Sequence, residues 1–147
     1  MASRNIAFNL VVKAPRPAVF AWLGDHEKFG SLLPGRTKRI IDGTGPGGVN
    51  GAGSVRRVSF GVSYTDEKVT ALIPDEYVEY TVIEGSPVKN HLGCIRLTDT
   101  ADGGTEIDYR ITFDPRISFL GAPTEMLVRH ILGGGLAKLK QRVERAA

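Results

Sequence analysis

The clearest pattern in the chain runs from Thr105 to Asp114, where Ile107, Tyr109, Ile111 and Phe113 share one face and Glu106, Asp108, Arg110 and Thr112 the other. A period of two marks a strand with one buried side. The same period places strands at Asn5–Lys13, through Ile6, Phe8, Leu10 and Val12, and at Tyr77–Ile83, through Val78, Tyr80 and Val82. Val88–Thr98 meets the last strand across the Asp102-Gly103-Gly104 turn, which predicts a hairpin. Thr37–Ile41 reads as a further strand, and Gly53–Phe60 with Val62–Ile73 as a hairpin about Gly61. After the first strand, Ala14-Pro15-Arg16-Pro17 halts the extended chain and starts a short helix with Val19, Phe20, Trp22 and Leu23 on its apolar side. Asp25 caps a second short helix that turns Phe29, Leu32 and Leu33 inward and stops at Pro34-Gly35.

From Pro123 to Val143 the period changes. At about 100° per residue, Leu127, Val128, Ile131, Leu132, Gly135, Leu139 and Val143 fall on one arc, with Arg129, His130, Lys140 and Glu144 opposite. Pro123, Thr124 and Glu125 suit the start of a helix, and Lys138, Lys140, Arg142 and Arg145 crowd the negative end of its dipole. Gly133, Gly134 and Gly135 interrupt it, each costing about 1 kcal/mol against alanine in a helix interior. The arc places Gly135 near its centre, Gly134 just past its edge and Gly133 facing away. The order of elements is strand, two short helices, six strands and a long helix, an α+β arrangement with an antiparallel sheet. A sheet of that many strands curls. Its concave apolar face is expected to be covered by the long helix, with a cavity between them.

Composition narrows the function classes. A chain of 147 residues suits one domain spanning 1–147, with a proper core. The 19 basic residues exceed the 16 acidic ones only slightly and are spread along the chain, so nucleic acid is not an expected partner. Cys94 is the only cysteine, which excludes an intrachain disulfide, and the three histidines lack a metal-ligand spacing, so no metal site is expected. The start MASRNIAFNL has no signal-peptide character and no apolar run reaches the length of a membrane span. A cytoplasmic protein without stable membrane insertion is expected; oligomeric state is left open. Gly43-x-Gly45-x-x-Gly48 matches the spacing of the dinucleotide fingerprint, but that motif must open a helix, and here a strand follows. The stretch from Asp42 to Gly53 is read as a flexible loop, and no cofactor is expected.

Several local patterns carry a resemblance: the first strand running into Ala14-Pro15-Arg16-Pro17 with Val19-Phe20-Ala21-Trp22, the Gly53-x-Val55-Arg56 strand start, Glu67-x-Val69, Tyr80 with Gly85-Ser86-Pro87, and Gly104-Thr105-Glu106-Ile107-Asp108-Tyr109. With the element order, they resemble the START and Bet v 1-like (SRPBCC, polyketide cyclase/dehydrase-like) superfamily over essentially the whole chain. The resemblance implies a helix-grip fold: a seven-stranded sheet curled around the C-terminal helix, enclosing a cavity for lipids, sterols, polyketides or other hydrophobic molecules. A glycine-rich loop between the second and third strands is also a feature of that superfamily. Its members bind, transport, cyclise or regulate.

Alternation then nominates cavity residues. If Val69 and Ala71 face inward, so do Glu67 and Thr65; if Ile95 and Leu97 do, so do Gly93 and His91. Val55 inward brings Arg57 and Ser59 along, so Arg57 and Glu67 would meet across the hairpin. Such a pair could orient the polar end of a ligand or move a proton, or it could be a structural ion pair, or both groups could lie in water. His91 is a candidate acid or base, or a hydrogen-bonding rim residue. His26 and His130 are expected in solvent, and Cys94 is expected as an inert residue on the opposite phase of the sheet. Tyr80 and Tyr109 offer an apolar body with one polar tip. The expected ligand-binding set is Arg57, Glu67, Val69, Tyr80, His91, Ile95, Tyr109 and Ile111 from the sheet, with Val128, Ile131 and Gly135 from the helix. Two functions remain: binding of a small hydrophobic molecule (lipid, sterol or polyketide-like), or a cyclase or dehydratase using Glu67, His91 or Tyr109 for proton transfer.

Overall fold

The computed structural model describes residues 3–146. Its elements are β1 (Arg4–Val12), α1 (Arg16–Leu23), α2 (His26–Gly30), β2 (Arg36–Ile41), β3 (Val55–Phe60), β4 (Ser63–Ile73), β5 (Tyr77–Glu84), β6 (Val88–Asp99), β7 (Thr105–Pro115) and α3 (Gly121–Ala146). The strands form one seven-stranded sheet in the order β1-β7-β6-β5-β4-β3-β2, every pairing antiparallel. From β2 to β7 each strand pairs with its sequence neighbour, and β7 returns to pair with β1. β1 and β2 are therefore consecutive in sequence but lie at opposite edges, and α1 and α2 make the connection between the edges. α3 lies against β1 and α1. The result is the helix-grip arrangement that the pattern of elements predicts. Among the described residues no helix is long and apolar enough to cross a membrane.

Local chemistry accounts for the boundaries. Pro15 holds an extended backbone before α1, with a second proline in the helix's first turn. The Asp25 carboxylate caps α2 by accepting from the Glu27 and Lys28 amides at 3.1 Å each. Gly61 takes a positive φ of 61° in the two-residue turn that joins Phe60 to Ser63. The loop between β2 and β3, expected to be flexible, is tied back on itself. Thr44 and Ala52 form a bridge, the Gly43 amide donates to the Val49 carbonyl at 2.8 Å, and Gly48–Asn50 makes a 3-10 turn. No helix opens from this loop, so its glycine spacing has no dinucleotide-binding geometry behind it.

Irregularities in the ladder bend the sheet around α3. The β4–β5 register shifts between Asp66 and Glu67 and again between Val69 and Ala71. The second shift corrects one expectation: Ala71 loses the inward phase of Val69, and Leu72, only 7 % exposed, takes its place. The β6–β7 register shifts between Lys89 and Leu92, where Asn90 adopts a φ of 52°. Below these bends the core closes on Ile6, Val12, Val78, Ile107, Leu139 and Val143.

α3 runs unbroken through its three glycines. Gly135 is buried, and a Cβ there would collide with the end of the Leu33 side chain. The faces of the other two are corrected. Gly133 is half-buried, its Cβ position 3.6 Å from the Phe8 ring, whereas Gly134 is exposed with nothing within 4 Å. The helix is rotated toward β1 relative to the arc drawn from apolar side chains alone. Gly134→Ala is expected to raise stability by about 0.5–1 kcal/mol through helix propensity and a less flexible unfolded chain. Gly135→Leu is expected to lower it by about 1–3 kcal/mol through overpacking. Denaturant melts of both variants check this; equal destabilisation would contradict a continuous helix.

Candidate functional site

Between the concave face of the sheet and α3 lies a cavity of about 490 Å³, within the range of small-molecule pockets. Its walls are apolar: Val58, Val82, Val88, Ile111 and Phe113 from the sheet, Phe29 and Leu33 from the α2 segment, and Val128, Ile131 and Leu132 from α3. The mouth is framed by Phe60 and Ser63 at the β3–β4 turn, Gly85, Ser86 and Pro87 at the β5–β6 turn, and Thr124 and Leu127 on α3. The inner end is polar. There the wall is made by His26, Arg56, Glu67, Tyr80, His91 and Tyr109.

Arg56 organises this end. Its Nε–H donates to Glu67 Oε1 at 2.6 Å, one guanidinium NH2 group donates to His26 Nδ1 at 3.0 Å, and its central carbon lies 4.6 Å from the centroid of the Tyr80 ring. Burial works against the charge, but Glu67 first, with Tyr80 and Tyr109, keeps the Arg56 pKa above the ordinary guanidinium value. A guanidinium has no acceptor, so His26 Nδ1 must be the unprotonated nitrogen. Its Nε2–H then donates to Ser54 Oγ at 3.0 Å. Burial, then Arg56 and Arg39, push the His26 pKa from 6.5 down to about 3, so the ring is neutral.

Opposite Arg56 the two phenols share a hydrogen bond, Tyr80 to Tyr109. Gly93 makes the space: a Cβ there would sit 2.5 Å from the Tyr80 ring. Burial pushes the Tyr80 phenol well above its ordinary value and Tyr109 up to about 12, so both keep their protons. His91 lies with its ring 5.3 Å from that of Tyr80, and its Nδ1 accepts from the Val82 amide at 3.3 Å. That contact leaves the proton on Nε2, and burial lowers the His91 pKa, favouring the neutral ring. Glu67 Oε1 is held by Arg56, while among the described residues no protein donor reaches Oε2. The inner wall thus presents one carboxylate oxygen, one imidazole N–H and a phenol pair to whatever occupies the cavity.

Of the residues expected from sequence, Glu67, Tyr80, His91, Tyr109, Ile111, Val128 and Ile131 line this cavity. Val69 and Ile95 are instead in the closed core, at 1 % and 4 % exposure, and Gly135 lies beneath Leu33. Arg57 is a correction. The β3–β4 register sets Arg56 opposite Glu67 and Arg57 opposite Asp66, so Arg57 grips Asp66 at 2.9 and 3.0 Å off the cavity. Val55 is a misleading mark of the inner face, because it is buried but outside the core cluster. Val58 and Phe60, both lining the cavity, share the phase of Arg56 and carry the right signal. His26 is also corrected: it is 1 % exposed rather than in solvent. Its position directly after the Asp25 cap is visible in the sequence, but its inward direction depends on how α2 docks. His130 is exposed, and Cys94 is half-buried with its Sγ accepting from the Tyr77 hydroxyl at 3.3 Å.

A curled sheet gripping one helix over an apolar cavity with a polar inner end defines a small-molecule-binding protein of the START and Bet v 1-like class. The chain belongs to the family described as polyketide cyclase / dehydrase and lipid transport, whose profile matches residues 6–144. No curated protein matches its sequence. Among solved structures, norcoclaurine synthase from Thalictrum flavum in complex with dopamine and hydroxybenzaldehyde superposes with a TM-score of 0.74 at 18% identity, over 99% of this chain and 89% of that one. The protein XoxI from Bacillus cereus gives 0.71 at 19% identity, over 97% and 96%. A protein from Nitrosospira multiformis gives 0.69 at 18% identity, over 92% and 96%. Identities this low show a shared fold.

The buried His26 ties stability to pH. Its folded-state pKa lies below the unfolded value, so its contribution is complete above 6.5 and is lost as the pH falls toward 3. Across that window the unfolded chain binds the extra proton, and stability is expected to fall by about 1.4 kcal/mol per pH unit from this group. Urea melts at stepped pH check this against His26→Asn, whose acid limb is expected to be shallower by that slope. Parallel limbs would contradict a neutral buried His26.

Proposed function

We propose that the chain, acting as one domain over residues 1–147, binds an oxygen-bearing hydrophobic molecule of polyketide-like size and acts on it by proton transfer, as a cyclase or dehydratase. The observation that carries this reading is the inner wall: Glu67 Oε2, His91 Nε2–H and the Tyr80–Tyr109 pair share one end of an otherwise apolar cavity. Holding an ion pair away from water is expensive, and a purely apolar ligand would be served as well by aliphatic side chains there. Glu67 Oε2 takes a proton from the carbon beside a ligand carbonyl. His91 Nε2–H and a phenol donate to the oxygen on which negative charge develops. The resulting enolate attacks a second carbonyl of the same folded molecule, forming a carbon–carbon bond as that C=O π bond opens to an alkoxide. The alkoxide takes back the proton held by Glu67, and loss of the new hydroxyl with a neighbouring proton, which returns to the Glu67 carboxylate, releases water. The family description and an enzyme on this fold seen with two oxygenated aromatic molecules support the reading.

A carrier without chemistry is the second reading, favoured by the 2.6 Å bond that commits one oxygen of Glu67 to Arg56. Solvent deuterium exchange at the methyl group of acetylnaphthol, followed by NMR, separates the two. Wild type is expected to accelerate exchange and Glu67→Gln to lose about 10²-fold of that acceleration. Stabilisation of the fold by the ketone with no exchange above buffer would establish the carrier instead.

A further inference from the structure

Arg56 and Glu67 are the only residues lining the cavity, among those described, that carry a formal charge. They neutralise each other at 2.6 Å, and their side chains are only 11% and 19% exposed. His26 uses Nδ1 on Arg56 and Nε2 on Ser54 and adds no charge. His91 shows the cavity a neutral N–H, and the phenol pair, in which one hydroxyl donates to the other, keeps one neutral O–H to donate. The site therefore has hydrogen-bonding capacity but no uncommitted cation. A ligand carboxylate entering this end would meet the Glu67 carboxylate, and the guanidinium that could balance it already has its charge offset by Glu67, with Nη2 alone left without a protein partner among the described residues.

We infer that the Arg56–Glu67 pair is a charge filter: the cavity takes uncharged molecules bearing hydroxyl or keto oxygens and rejects carboxylates of the same shape. This rests on the cavity being a ligand site, as proposed above, but not on any chemistry done there. Burying a charge without a partner is costly, whereas a hydroxyl can donate to Glu67 Oε2 and accept from His91. The filter is switchable. Removing the Glu67 charge releases Arg56 as a partner for an anion.

The test compares hydroxypyrene with pyrenecarboxylate at neutral pH, by fluorescence titration of wild type, Glu67→Gln and the double variant Arg56→Gln with Glu67→Gln. Wild type is expected to bind hydroxypyrene at least about tenfold more tightly than pyrenecarboxylate. Glu67→Gln is expected to reverse that order, and the double variant, with no cation, to reject the carboxylate again. If Glu67→Gln does not fold, Glu67→Ser, which likewise leaves Arg56 without its carboxylate, carries the same expected reversal. Equal affinity of wild type for both probes, or binding of neither, would overturn the inference. So would tight carboxylate binding by the double variant, which would make shape rather than charge the selector. These readouts are binding alone, so a negative deuterium-exchange assay leaves them intact, and their failure does not alter what that assay measures.

Discussion

A guanidinium cannot shed its proton inside a protein, so once Arg56 is folded against the concave face of the sheet, everything near it must answer its charge. Three groups do so from three parts of the chain: Glu67 from the partner strand, His26 from the start of α2, and the face of Tyr80 two strands away in the sheet. Removing one partner of such a pair costs about 3–5 kcal/mol, whereas replacing the whole set by aliphatic residues is often neutral. The cluster is therefore poor evidence for stability as a goal. Its value lies in what it presents to the cavity: one free carboxylate oxygen beside neutral donors.

The fold makes that presentation by small departures from regularity. The β4 register shifts flank Glu67 and Val69, the bend at Asn90 precedes His91, and Gly93 leaves the space that the Tyr80 ring fills. A regular sheet with a side chain at position 93 would push Tyr80 out of reach of Tyr109 and Arg56. The helix side is set by α2, whose Asp25 cap fixes the first turn and so the direction of His26. Ser54, immediately before β3, then takes the outer ring nitrogen. Apolar walls keep water scarce around this group, which is why both phenols hold their protons and both histidines stay neutral.

Much of this is legible from alternation and helical period. All seven strands, both short helices and the long helix follow from them, as do Glu67, Tyr80, His91, Tyr109, Ile111, Val128 and Ile131 on the cavity wall. Arg57 is misplaced when a single valine defines the inner face of its strand, while the paired signal of Val58 and Phe60 points to Arg56. Ala71 is misplaced because a bulge changes phase without any mark in composition. Val69, Ile95 and Gly135 face inward as their pattern says, but period cannot tell closed core from cavity wall, since both are apolar. His26 is out of reach for a different reason: its burial goes with side-chain bonds to Ser54 and Arg56, residues far from it in sequence.

The protonation of His26 and His91 tests the cluster most directly. A long-range proton–nitrogen NMR spectrum of the imidazole rings is expected to show both as neutral with the proton on Nε2. His26 is expected to keep that state as the pH falls, until about 3 is approached. A His26 ring that gains its second proton near the ordinary 6.5, or that carries its proton on Nδ1, would mean that Arg56 does not donate to it. The account of the cavity's inner end would then be wrong.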